Sequence, residues 1–147
     1  MEKKVKEKIL DLFKEKGLGA IYYLKLMGIE PGVKMYHLIK EVENLGYIPN
    51  NTISIVESRM SSLFARGWGN GYVKIPEDHP LHGQSYVDSN EINSLDVPGG
   101  VTYTDYDSED DGWVIGFDTA HAYNNPITHN KFFVMRETTN LLLQLFI

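Results

Sequence analysis

Apolar residues recur at helical spacing through the first 70 positions and in short bunched runs afterwards. Val5, Ile9, Leu12 and Phe13 lie three or four apart among lysines and glutamates, which predicts an amphipathic helix ended by Gly17 and Gly19. A short apolar segment from Ala20 to Met27 stops at Gly28, and Pro31-Gly32 makes a turn. Met35, Leu38, Ile39, Val42 and Leu45 form the next stripe, ended by Gly46. Pro49-Asn50-Asn51 then offers a capping position before Thr52, and Ile53, Val56, Met60, Leu63 and Phe64 predict a fourth helix closed by Gly67.

The second half changes period. Tyr72-Val73-Lys74-Ile75 reads as a strand that follows Gly69-Asn70-Gly71 and stops at Pro76. Val101-Thr102-Tyr103-Thr104, after Gly99-Gly100, and Trp113 to Phe117 predict two more strands, joined as an antiparallel hairpin by the acidic loop Asp105 to Asp111. From Lys131 onward, Val134, Met135, Thr138, Leu141, Leu142 and Leu145 restore the helical period. The expected fold is α+β: an N-terminal helical region, then a small, mainly antiparallel sheet with a C-terminal helix packed on it. The helical region spans 1–70 and the α+β region 71–147, which together can make one compact domain. The expected core is Phe13, Leu38, Ile39, Val42, Met60, Leu63, Phe64, Val114, Ile115, Phe117, Leu141 and Leu142. Because Leu143, Phe146 and Ile147 add apolar groups beyond one helix face, the closing helix is also expected to join copies in a homo-oligomer.

Charge sharpens the division near residue 70. Of the 14 basic and 20 acidic residues, residues 1–70 hold 11 and 8, whereas residues 71–147 hold 3 and 12. An acidic second half is a poor surface for nucleic acid, since phosphates are attracted by basic charge. The first half leaves one DNA-binding alternative: a winged helix with Thr52 to Arg66 as recognition helix, Arg59 and Arg66 contacting the duplex beside Ser58, Ser61 and Ser62. The absence of cysteine excludes disulfides, thiolate zinc sites and a cysteine nucleophile. No apolar run approaches the roughly 20 residues needed to cross a bilayer, and no secretory core follows Met1, so a cytoplasmic location is expected.

Histidines carry the chemical signal. Glu77-Asp78-His79-Pro80-Leu81-His82 places two imidazoles and two carboxylates in one turn region, and Asp118-Thr119-Ala120-His121 follows a strand directly. Such groups at strand ends are placed to line a pocket. His79, His82, Asp118 and His121 would hydrogen-bond the polar part of a ligand, and Trp68, Tyr103 or Trp113 would stack on a base. The same four polar residues could serve a metal-dependent or histidine-based hydrolase of phosphate esters. Proline inside His79-x-x-His82 forbids the helical spacing of helical zinc motifs, so no metal or other cofactor is assigned. The acidic loop lacks the glycine position of a twelve-residue calcium loop and is expected to be a solvated hairpin tip.

Several of these segments together resemble a family of small uncharacterised tailed-phage proteins. The residues that carry the likeness are Gly71-Tyr72-Val73-Lys74-Ile75-Pro76, His79-Pro80-Leu81-His82-Gly83, Gly99-Gly100-Val101-Thr102-Tyr103 and Trp113-Val114-Ile115-Gly116-Phe117-Asp118-Thr119-Ala120-His121. Arg136-Glu137 and the stripe from Leu141 to Leu145 are similar to the family's closing helix. The likeness covers residues 71–146, about half the chain. The family's pattern has histidine before the paired glycines where this chain has Pro98, which removes one candidate metal ligand. What the resemblance implies is a phage origin, and with it the cytoplasm of a bacterial host. The corresponding expectation is an accessory protein that counters host defence by binding, its partner a nucleotide-derived immune signal or a host defence protein.

Overall fold

The computed structural model describes residues 1–58, 66–121 and 123–147. Helix α1 (Lys3–Lys16) turns its Ile9 and Phe13 inward, and a single 3₁₀ turn at Gly17–Gly19 redirects the chain into α2 (Ala20–Leu26). Helix α3 (Val33–Asn44) buries Met35, Leu38, Ile39 and Val42 along one stripe. Strands β1 (Ile53–Glu57) and β2 (Gly69–Ile75) come next, followed by one short helical turn, α4 (Asn90–Asn93). The hairpin strands β3 (Tyr103–Tyr106) and β4 (Trp113–Phe117) precede α5 (Lys131–Leu145), whose first turn is capped by the Asn130 side chain.

The four strands form one antiparallel sheet in the order β1-β2-β4-β3. Among the described helices, α5 is the one that packs broadly on the sheet, and α3 reaches it at β1. Helix α5 crosses β2 and β1 and touches α2 and α3, so the core fills the space between sheet and helices. Close approach of α5 to β2 depends on Gly71, because the Thr138 hydroxyl and the Phe117 ring occupy the space a side chain there would need. Thr139, one residue on, accepts a hydrogen bond from the Gly32 N–H at the start of α3 (3.0 Å). The α+β expectation therefore holds, down to the closing helix packed on the sheet.

Three expectations are corrected. Ile53 to Glu57 is a strand and not the start of a helix, so β1 enters the sheet from the segment read as wholly helical. Val114 points to the helix-free face and is only partly buried, whereas Ile115 and Phe117 on the other face are fully covered. The strand expected at 101–104 runs two residues later, with Val101 buried before it. Arg59, Met60, Ser61, Ser62, Leu63 and Phe64 lie outside the described residues.

Candidate functional site

The helix-free face of the sheet is where the fold leaves polar and aromatic groups together. Register places Ser54, Tyr72, Gly116 and Tyr103 in one cross-strand row, and Lys74, Val114 and Asp105 in the next. Residues directly opposite across antiparallel strands point to the same face, so these side chains share one surface. The Tyr72 ring lies over Gly116, filling the place of a side chain, and meets Tyr103 with ring centroids 5.5 Å apart and planes at 81°. Asn70 donates to the Tyr72 hydroxyl (3.2 Å). Together with Asn51, Ser54, Val56, Lys74, Asp107 and Val114, the two tyrosines line an open cleft of about 450 Å³.

Lys74 sits at the edge of this cleft with its side chain 5% exposed. Its ammonium donates to Asp110 (2.5 Å) and Asp107 (3.2 Å), so the loop, solvated at 108–111 as expected, is also tied to the sheet. Burial alone would lower the lysine's proton affinity; the bonds to Asp110 and Asp107 outweigh it and raise the pKa above its ordinary value. The Tyr103 phenol is also raised, first by burial and then by the charge of Asp105.

Of the described site candidates singled out from the sequence, Tyr103 is the one that lines this cleft. Trp113 is a core residue, 6% exposed, whose indole N–H donates to the Gln84 carbonyl (3.0 Å). It offers no face for stacking a base. Trp68 is half-buried, with the Lys131 ammonium 5.9 Å from its ring centre. His79 uses both ring nitrogens: Nδ1 accepts from the Leu81 N–H (3.1 Å), which leaves Nε2–H to donate to the Leu145 carbonyl (2.5 Å) in the last turn of α5. His82 reaches the Asp111 carbonyl through Nε2 (2.8 Å) and packs beside Tyr106 and Trp113. These two histidines fasten the 76–89 segment to the helix end and to the hairpin.

Asp118 and His121 lie at the other end of β4, about 13 Å along the strand at ~3.3 Å per residue. Asp118 accepts from the Thr102 hydroxyl and from the Ala120 N–H, both at 2.9 Å. His121 Nδ1 stands 3.4 Å from Asp118 Oδ1 without forming a hydrogen bond. Its ring stacks on Tyr123 and covers the space above Gly99, which brings the paired-glycine and Asp-x-x-His motifs together. His121 Nδ1 and Asn124 Nδ2 are both buried without a hydrogen-bond partner. This corner does not meet His79 or His82, which are bonded at the end of α5 and at the hairpin. Among the described residues, no three histidine, aspartate or glutamate side chains gather so as to hold a metal ion.

Sequence reasoning missed Tyr72, Lys74 and Asp105 as site residues. The signal was the alternation Tyr72-Val73-Lys74-Ile75, which sends tyrosine and lysine to one face and the aliphatics to the other. The adjacent Thr119 was missed too: its buried hydroxyl donates to the Gly69 carbonyl (2.7 Å), latching the strand end to β2. Arg66, the described half of the DNA-binding alternative, is half-buried, and the recognition helix it was to end is a strand over its first turn. No protein-family model, curated protein or solved structure matches the chain. Among the described residues, no helix is long and apolar enough to cross a membrane.

Proposed function

We propose that this is a tailed-phage accessory protein, working in the host bacterial cytoplasm, that counters a host defence by binding, with the helix-free sheet face as its docking surface. The observation that carries the reading is the Tyr72–Tyr103 corner, two rings held at 81° beside an open cleft that, among the described residues, no helix lines. Tyrosine offers a flat apolar body with a polar tip, which suits it to a contact that forms and breaks in water. A nucleotide-derived signal would stack its base there, with Asn51, Ser54 and Asn70 as hydrogen-bonding neighbours. A surface segment of a host effector would use the same rings. The motif likeness to phage proteins supplies the biological setting.

Thermal-shift and calorimetric titrations with cyclic nucleotides and ADP-ribose derivatives test the small-molecule branch. A raised Tm with one of them, lost in Tyr103→Ala, would support that branch. No shift with any compound eliminates that branch. Association of copies through the end of α5 belongs to the same proposal. It rests on Ile147, 73% exposed, since Leu143 and Phe146 pack partly against the core. Ile147→Asp should then lower the mass measured by light scattering; an unchanged mass removes the interface.

A further inference from the structure

We infer that the open sheet face recognises a cationic segment of a partner protein, with an arginine side chain lying against Tyr72 and Tyr103 and Asp105 as its counter-charge. The inference rests on the reading of this face as the docking surface and names the chemistry of what docks. Charge decides between the ligand classes. Among the described residues lining the cleft, Lys74 is the only cation, and it is already shared between Asp107 and Asp110. Asp105 adds a third carboxylate on the same face, so three carboxylates against one ammonium leave the surface negative. A phosphate brought to the two tyrosines would meet repulsion with no free cation to offset it. A guanidinium would meet attraction.

The geometry favours arginine over lysine. Two rings at 81° form the walls of a corner, so a planar group can lie flat on one ring while its edge points past the other. A guanidinium is planar, stacks on aromatic faces, and keeps N–H groups free at its rim for a carboxylate. Asp105 uses one oxygen to accept its neighbour's N–H, from Tyr106 (2.8 Å), and faces the row beside Tyr103. Val56 and Val114, partly exposed on the same face, offer apolar surface to the side chain's stem. Tyr103 itself is 43% exposed, so the ring can be reached without rearranging the sheet.

The test uses the full chain with fluorescein-labelled octa-arginine and octa-lysine peptides, read by anisotropy at low and physiological salt. Any acidic protein attracts polycations, so the readout is the preference between two peptides of equal charge. The expected result is tighter binding of the arginine peptide by roughly three- to fivefold, the worth of an exposed cation–π contact. Tyr103→Ala should erase the preference, and Asp105→Asn should weaken both peptides more than Glu91→Gln on α4 does. Circular dichroism establishes that each variant is folded. Independently of any variant, the arginine peptide should shift amide NMR signals of Tyr72, Tyr103, Asp105 and Val114 in the wild-type protein. Equal affinity for the two peptides, a preference that survives Tyr103→Ala, or shifts confined to α1 and α2 would each overturn the inference. A Tyr103-dependent response to a nucleotide without an arginine preference would overturn it too, while leaving the binding role of the face intact.

Discussion

Lys74 and its two aspartates give the cleft edge a definite pH response. Asp107 is held below the ordinary carboxylate value, first by the Glu109 N–H at one oxygen and then by Lys74 at the other. Its contribution to stability is therefore complete at neutral pH and is lost as pH falls below about 4 and through the lowered folded value. The raised pKa of Lys74 works in the opposite direction: its contribution is complete below about pH 10 and is lost as pH rises through the folded value. Between those limits the linkage is flat. Lys74→Met removes the alkaline end and Lys74's share of the acid end, while the Glu109 N–H still holds Asp107 down. Urea unfolding across the pH range should show a variant less stable than wild type at pH 7, with the difference shrinking below pH 4 and above pH 10. A difference that stays constant with pH would mean that Lys74 acts through packing alone. The same triad explains why the acidic loop is ordered on the sheet: a buried ammonium needs carboxylate partners more than the carboxylates need water.

At the scale of elements, α3 protects the outer edge of β1. Tyr36, Lys40 and Glu43, spaced four and three apart, lie on one helix face. Tyr36 reaches the Ile55 backbone, Lys40 donates to the Ile53 carbonyl, and Glu43 accepts from the Ile53 N–H (3.1 Å) and the Asn51 N–H (2.9 Å). A strand edge that would otherwise present open donors and acceptors is thereby closed by side chains. Glu43→Ala leaves those two N–H groups and the Lys40 ammonium short of an acceptor, and should cost about 2–4 kcal/mol in urea unfolding. Glu43→Gln keeps one acceptor oxygen and should cost less; equal losses would show that the carboxylate is not what holds the edge. Helices α1, α2, α3 and α5, the hairpin and β2 were legible from their runs and spacing of apolar residues, whereas the short α4 was not read at all. Strand β1 was not legible, since Ile53 and Val56 sit three apart as on a helix. The β-branched run Thr52, Ile53, Ile55, Val56 was the stronger signal, favouring the pleated conformation. The histidines were legible as polar loop residues, but their partners are distant: the Leu145 carbonyl lies 66 positions from His79, and the Asp111 carbonyl 29 from His82. No local spacing encodes such contacts. Tyr103 was found by residue type, whereas Tyr72 needed the register with Gly116 before its ring could be placed beside it.

For the whole molecule, the change of charge and period near residue 70 does not coincide with a break in packing. β1 precedes that point, yet it pairs along its length with β2, which starts just before it. Ile9, Phe13, Ile21, Leu24, Ile39 and Val42 share one core with Val73, Ile75, Ile115, Leu141 and Leu142. A fragment of residues 71–147 would lose β1, Gly69 and Asn70 at the start of β2, and every apolar side chain contributed by α1, α2 and α3. Helix α5 alone would remain to cover the sheet, and β2 would become an unprotected edge. Chains of that length already bury a smaller share of their surface than longer ones. The intact protein should therefore unfold in one cooperative transition, with far-ultraviolet circular dichroism and tryptophan fluorescence giving the same midpoint. The 71–147 fragment should show poor amide dispersion and no cooperative melt. If instead it melts cooperatively with a dispersed spectrum, the boundary at residue 70 separates independent folding units, and the charge asymmetry marks a true domain division.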